Sequence, residues 1–276
     1  MTTAARAAFR KLHETGCFVL PNPWDAGTAR YLEHLGYPAV ATTSAGAAFA
    51  LALPDGAVPR DAMLAHVRSI VEATGLPVNA DFGDGFAVEP DGVAESVGLC
   101  IETGVAGLSI EDSTGDRARP LYDEELAANR IAAARAAIDA AGGDVILTGR
   151  AEGFLVGQPD LDAVIRRLRA YAAAGADCLY APGLSSRSQI AAVVDAVAPK
   201  PVNVLALPAA GLTVPDLAAL GVRRISLGSA LARVAWGAFI RAAGAIAQDG
   251  RFDVLADAVP HAELDRFFRA AVLPRD

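Results

Sequence analysis

Lysine is almost missing from this sequence. Two occur in 276 residues, Lys11 and Lys200, against 32 aspartates and glutamates, and the net charge is −8. An acidic chain with no basic run is unsuited to nucleic acid, whose binding rests on Lys and Arg neutralising phosphates. Cysteine is nearly as scarce: Cys17, Cys100 and Cys178 lie far apart. They make neither a metal-type pair nor an even disulfide framework, which fits a reducing cytoplasm. No apolar run approaches the ~18 residues of a membrane span. The opening MTTAARAAFRKLHETG lacks the apolar core of a secretory leader. The expectation is a cytoplasmic protein with no nucleic-acid or membrane partner.

What is present is regular. Hydrophobic residues make up 53% of the chain. Eight short apolar runs read as strands: CFVLPN, AVATTS, PVNADF, GLSIED, VILTGR, CLYAPG, PVNVLAL and RRISLG. Between and after them come helical patterns near 24–36, 59–74, 90–104, 123–141, 160–174, 186–197, 213–220 and 229–248. Strands apolar at consecutive positions suit a parallel sheet covered on both sides. Glycines in GYPAV, GVAGLSI, GADCLY and GVRRIS stand just past helix ends. Eight units predict an α/β fold, a (β/α)8 TIM barrel, with an open doubly wound sheet as the alternative. We read one domain, a barrel over 1–250 with a helical tail over 251–276. In the tail Leu264, Phe267, Phe268 and Val272 fall at helical spacing. That stripe covers either its own barrel or a neighbouring subunit.

A barrel of this kind does its chemistry at the C-terminal ends of its strands. Both lysines lie away from that face, which excludes a Schiff-base mechanism. His13, His34, His66 and His261 fall on helical segments or the tail, so no histidine base is expected. Cys17 and Cys178 open their strands and Cys100 is mid-helix. Oxygen groups remain: Asp55, Asp81, Asp84, Glu111 and Asp112, with Arg150, then Glu152, beside them. Tyr180, Asn203 and Ser229 end later strands. Converging carboxylates repel unless a cation intervenes. Hard donors without His or Cys suit Mg²⁺ or Mn²⁺. Each residue also has a plainer reading. Asp55 and Asp84 are good turn residues, Asp112 can brace its loop, and Arg150 can balance the acids. Ser44, followed by AGAAFA, offers either close backbone packing or amides that clasp an anion.

Taken in order, LPNPWDAGTARYLEHLGYPAVATTSAG, PDG, ADFGDGF, SIED, TGRAEGFL, ADCLYAPG and VRRISLGSALAR resemble the isocitrate lyase/phosphoenolpyruvate mutase superfamily. The likeness covers nearly the whole barrel and looks closest to the carboxyphosphonoenolpyruvate phosphonomutase-like branch. It implies a (β/α)8 barrel, a dimer or tetramer with an exchanged C-terminal helix, Mg²⁺, and a small 2-oxo acid or its enolate as ligand. It implies that Ser44 with the amides of Ala45 and Gly46 holds the substrate carboxylate; Asn203, which strand 7 offers, is a further substrate-binding candidate from its position alone. It sets Asp81 nearest the metal, with Asp55 and Glu111 in its shell, largely through water, and Arg150 at the oxo or leaving-group side. Two departures stand out. Gly83 occupies the family's second acidic position, leaving Asp84 displaced by one as the remaining metal candidate. The loop STGDRARPLYD has neither the lyases' cysteine nor the mutases' Lys and Asn, and offers Asp116 and Arg117 instead. The implied activity is Mg²⁺-dependent C–C cleavage through a metal-stabilised enolate, of the oxaloacetate decarboxylase, oxaloacetate hydrolase or isocitrate lyase type. P–C chemistry on a phosphonate and non-catalytic binding of a 2-oxo acid are the alternatives.

Overall fold

The computed structural model describes residues 2–272. In chain order the elements are α1 (Thr2–Leu12), β1 (Phe18–Leu20), α2 (Ala26–His34), β2 (Val40–Ala41), α3 (Ser44–Ala50) and α4 (Arg60–Ala73). There follow β3 (Val78–Asp81), α5 (Pro90–Glu102), β4 (Gly107–Glu111), α6 (Glu124–Ala140), β5 (Ile146–Arg150) and α7 (Leu161–Ala173). The last are β6 (Cys178–Tyr180), α8 (Arg187–Val197), β7 (Val202–Leu205), α9 (Val214–Ala219), β8 (Arg224–Ser226), α10 (Ala230–Asp249) and α11 (His261–Val272). All eight predicted strands are present. The sheet runs β1-β8-β7-β6-β5-β4-β3-β2, every pairing parallel. Between β1 and β2 the closure is slight. Ala41 N–H donates to Pro21 O at 2.9 Å and Asn22 Nδ2 to Thr42 O at 2.8 Å. The result is a nearly closed (β/α)8 barrel.

Local sequence explains why the units start and stop where they do. Helix α2 opens on a capping box in which Asp25 accepts from Thr28 N at 2.7 Å and Thr28 Oγ1 accepts from Asp25 N at 3.2 Å. Ser186/Gln189 and Thr213/Asp216 repeat the device at α8 and α9. At the other ends Gly36, Gly104, Gly175 and Gly221 take φ of 81°, 93°, 103° and 86°, the left-handed conformation that glycine adopts without strain.

Two helices had no counterpart in the sequence reading. Helix α1 buries Phe9 and, just past its end, His13. Phe9 is fully buried, with ring centroids 4.7 Å from His13 and 6.3 Å from Phe18. Burying a Phe of this kind contributes about 1.5–3 kcal/mol. Helix α3 follows β2 directly and is capped by Thr43, whose side chain accepts from Gly46 N at 3.2 Å.

The chain divides after Ser229 into two compact units, so α10 belongs with the tail and not with residues 1–229. In the second unit α10 and α11 expose large apolar side chains. Val234, Phe239 and Ile240 are more than 60% exposed, and Leu264 and Phe268 are exposed on α11. The side chain of Val272 lies outside the described residues. Helix α10 also corrects the reading of apolar runs. Its 20 residues, at mean hydropathy 1.3, are long and apolar enough to cross a membrane by length and composition. Arg233 and Arg241 interrupt it, and Trp236, Phe239 and Ile240 fall at i, i+3 and i+4, the spacing of a one-sided stripe.

Candidate active site

The mouth of the barrel is assembled from the last residues of successive strands. Side chains alternate along a strand, so Asn79 and Asp81 share one face of β3, Ser109 and Glu111 one face of β4, and Thr148 and Arg150 one face of β5. Register sets Glu111 beside Arg150 and Arg150 beside Tyr180. A cavity of about 540 Å³ opens over them. Ser44, Ala45, Asp55, Asp81, Asp84, Glu111, Arg150 and Asn203 all line it.

Arg150 is the focus. Its Nη1 donates to Asp81 Oδ1 at 3.2 Å and lies 3.0 Å from Glu111 Oε2. Its Nε is bonded to Glu152. The guanidinium carbon stands 5.3 Å from the centroid of Tyr180. Burial works against the charge of Arg150, but Glu111, Glu152, Tyr180 and Asp81 outweigh it and hold its pKa well above the usual value. Glu111 is also raised, which for a carboxyl favours the neutral form. Burial raises its carboxyl above the ordinary range, opposed by Arg150 and reinforced by Glu152, Asp81 and Asp84. Asp55 stands on the rim, raised by partial burial and by the charge of Asp81. Tyr180 is raised to about 12, chiefly by burial.

Asp81 ties β3 to α3. Its Oδ2 accepts from Ser44 N and Ser44 Oγ, both at 2.8 Å, and its own N–H donates to Thr42 Oγ1 at 2.9 Å. Two of the three groups assigned to the substrate carboxylate are therefore engaged within the protein. Ser44 serves Asp81, and the Gly46 N–H serves Thr43. Gly46 is buried and does not line the cavity.

The remaining carboxylates separate by role. Asp84 accepts from Phe86 N at 2.9 Å and from Tyr122 OH at 3.2 Å, with Arg130 Nη2 at 3.9 Å. It makes its turn and faces the cavity at once. Asp112 is a brace. It is 2% exposed and accepts from Tyr171 OH at 2.6 Å, Arg167 Nη1 at 3.1 Å and Glu152 N at 2.8 Å. Asp112 thus fixes the residue that holds Arg150. Asp116 and Arg117 do not enter the cavity. Asp116 Oδ1 accepts from Ala118 N at 2.8 Å and closes its own turn, and both residues are exposed. Ser113, Thr114 and Gly115 are what this loop gives to the lining. Asn203 is fully buried, with Nδ2 on Ser226 Oγ and Oδ1 taken by Arg224 Nε, both at 2.9 Å.

Among the described residues no group of three or more His, Cys, Asp and Glu side chains is arranged to hold a metal ion. Asp84 is turned toward Tyr122, and the carboxylates of Asp81 and Glu111 meet on Arg150. The donor chemistry nevertheless fits magnesium. Mg²⁺ takes one or two carboxylates and keeps several waters, so it needs no all-protein cage. Two all-oxygen groups already converge on one positive charge, with Asp55 on the rim above.

A nearly closed (β/α)8 barrel with an acidic mouth built around one arginine defines the structural class. The comparisons give the family. The model for phosphoenolpyruvate phosphomutase matches residues 9–247. An uncharacterized protein of Mycobacterium tuberculosis is 35% identical over 260 residues, 93% of this chain and 94% of its own. Oxaloacetate decarboxylase of Rhodopseudomonas palustris is 33% identical over 281 residues, 97% of this chain and 93% of its own. Among solved structures, a candidate lyase/mutase from Burkholderia cenocepacia J2315 has a TM-score of 0.92 at 48% identity, covering 97% of this chain and 96% of that one. For 2,3-dimethylmalate lyase, a member of the phosphoenolpyruvate mutase/isocitrate lyase superfamily, the values are 0.85, 26%, 98% and 95%. Phosphonopyruvate hydrolase, solved with oxalate and Mg²⁺, gives 0.83, 27%, 98% and 98%. The chain belongs to the phosphoenolpyruvate mutase/isocitrate lyase superfamily, whose members are lyases and mutases.

Proposed function

We propose that this protein is a lyase-type enzyme that breaks a C–C bond beside a 2-oxo acid unit, with oxaloacetate-like acids as the substrate class. One observation carries the reading: the Arg150 guanidinium is held between Asp81, Glu111 and Glu152 inside the cavity at the strand ends. A fixed, planar, permanently charged group is suited to the oxygen on which negative charge develops as such a bond breaks. Its neighbours do the positioning. Glu152, pinned by Asp112, orients the fork. Asp81 and Ser44 link it to the start of α3, where Ala45 faces the cavity. Glu111, with its raised pKa, is the group that holds or releases a proton beside the substrate. The similarity to oxaloacetate decarboxylase supports the substrate class.

Magnesium is the cofactor this reading requires, and a relative solved with Mg²⁺ supports it. Asp81 would take it directly, with Glu111 and Asp55 nearby. Bound there, Mg²⁺ supplies Lewis-acid polarisation of the oxo group. Mn²⁺ satisfies the same donors.

We further read the protein as a cytoplasmic homo-oligomer, a dimer or tetramer, in which the exposed stripe of the tail is exchanged between subunits. The test of function is turnover of oxaloacetate and of larger 2-oxo-acid-yielding substrates with and without Mg²⁺. Mg²⁺-dependent release of a 2-oxo acid or its cleavage product supports the proposal. Absence of turnover across the series, with ligand binding intact, rejects it in favour of a binding protein.

A further inference from the structure

Below the carboxylate layer the barrel interior stays polar. Asn79, Ser109, Asn203 and Arg224 line the same cavity, one strand repeat deeper than Asp81, Glu111, Leu205 and Ser226. Arg224 is 2% exposed. Its bonds run to three neutral groups: Nε to Asn203 Oδ1 at 2.9 Å, Nη2 to Thr148 Oγ1 at 2.9 Å, and Nη1 against His13 Nε2 at 3.3 Å. His13 is neutral at ordinary pH, its pKa lowered to about 3 by burial and then by Arg224 itself. Three of the five guanidinium N–H groups are used, leaving two. Among the described residues none of the ion pairs reaches Arg224.

The other fully buried arginine shows what compensation looks like. Arg130 is 1% exposed, lies 3.9 Å from Asp84 Oδ2, and donates to the carbonyls of Glu111, Asp84 and Ala87. Arg224 has neither a carboxylate nor a backbone carbonyl, and its one carbonyl acceptor is the side-chain amide of Asn203. A buried charge without a counter-charge destabilises a fold. A second group at the same depth is also incomplete: Asn79 Oδ1 is buried without a hydrogen-bond partner. Its Nδ2 donates to Ala80 O at 3.2 Å, which leaves one further N–H on that amide without a partner.

We propose that Arg224, with Asn79 at the same depth of the cavity, is an anion subsite at the cavity floor that receives a second, distal carboxylate of the substrate. The inference rests on the 2-oxo-acid reading of the mouth and assigns to Arg224 the preference for acids that carry a second carboxylate. The Arg224 guanidinium is bonded to Thr148, two residues before Arg150 on β5, an advance of about 6.6 Å along that strand, and a short dicarboxylate spans such a step with one end toward Arg150 and the other toward Arg224. An acid with a methyl group in place of the distal carboxylate leaves Arg224 uncompensated. A site built for a polar group discriminates strongly against an analogue that lacks it.

Matched pairs test this. 2-Oxobutyrate differs from oxaloacetate, and 2-oxopentanoate from 2-oxoglutarate, only by methyl for the distal carboxylate. Calorimetric titration of the wild-type protein with all four acids in Mg²⁺ should give at least tenfold tighter binding of the diacid in at least one pair. Arg224→Met should reduce that preference to less than threefold while keeping affinity for the monoacid. Equal binding within both pairs, no binding of any acid, or a preference retained by Arg224→Met overturns the subsite. If Arg224→Met does not fold, wild-type crystals soaked in bromide decide. An anomalous peak in contact with the Arg224 guanidinium supports the subsite, and its absence overturns it. Turnover is not part of the readout. A binding preference without cleavage rejects the proposed lyase and leaves the subsite, whereas cleavage without a preference rejects only the subsite.

Discussion

Arg150 Nη1 lies 3.0 Å from Glu111 Oε2, joining residues paired across two neighbouring strands at the mouth of the barrel. The pair is held from behind, because Asp112 accepts from Glu152 N and Glu152 is bonded to Arg150 Nε. Arg150→Lys keeps one positive charge and loses the planar fork that meets several carboxylates and a substrate oxygen together. The expected loss in kcat/KM is about 2–4 kcal/mol, the range for removing one preorganised donor, with the circular dichroism spectrum unchanged. An unaltered kcat/KM in the lysine variant would show that Arg150 only balances charge.

Asp81 is the second arm of that arrangement and the bridge to α3 through Ser44 N and Oγ. Asp81→Ala should remove the Mg²⁺-dependent rise in melting temperature and the Mg²⁺-dependent part of 2-oxo-acid binding. The barrel itself should persist, because Asp81 stands at the mouth and the apolar core lies between strands and helices. Thermal melting with and without Mg²⁺ measures the first effect, and titration calorimetry of a 2-oxo acid with and without Mg²⁺ measures the second. Full retention of metal-dependent binding would move the metal away from Asp81.

Most of the barrel was legible in the sequence for a simple reason. Parallel strands buried on both faces read as unbroken apolar runs, and glycines such as Gly104 and Gly175 mark the helix ends before them. Helix α1 was not legible, because its packing rests on Phe9, and on His13 just past its end, in an alanine-rich stretch, and the burial of those two side chains is a tertiary fact. Asp112 was half legible. The alternation that turns Glu111 inward turns its neighbour outward toward Tyr171 and Arg167, and that parity is present in SIED. Arg224 could not be read from RRISLG, because its meaning lies in the missing carboxylate and not in its own identity. Asp116 looked available in the loop, yet an aspartate two residues before a backbone N–H readily closes a turn on itself, as it does on Ala118.

His13 gives a prediction for acid stability. Its folded-state pKa is lowered to about 3 by burial, by Arg224 and by nearby arginines, against 6.5 in the unfolded chain. The unfolded state therefore binds the extra proton first as pH falls. The contribution of the neutral ring is complete above pH 6.5 and is lost progressively from 6.5 toward 3. The steepest slope for one proton is about 1.4 kcal/mol per pH unit. Urea unfolding at pH 7, 6 and 5 should show wild type losing stability faster than His13→Gln by nearly that slope below pH 6. Parallel pH profiles for the two proteins would exclude His13 as the source.

The tail ties the second compact unit to assembly. Leu264 and Phe268 on α11 are 42% and 37% exposed, and Phe239 and Ile240 on α10 are 62% exposed. A chain that ended as a monomer would leave this apolar surface against water, where monomeric proteins rarely keep large contiguous patches. If the stripe of Leu264, Phe267 and Phe268 fills a groove on a partner, each side chain contributes about 1.5–3 kcal/mol. Two-fold exchange counts every contact twice, enough to hold subunits together at micromolar concentration. Intact protein should therefore sediment as a dimer or tetramer, and a chain ending at Asp257 should dissociate or aggregate. Light scattering on both proteins separates the alternatives. A truncated chain that keeps its full assembly would assign the interface to α10 or to the barrel, and a monomeric intact chain would remove the exchange altogether.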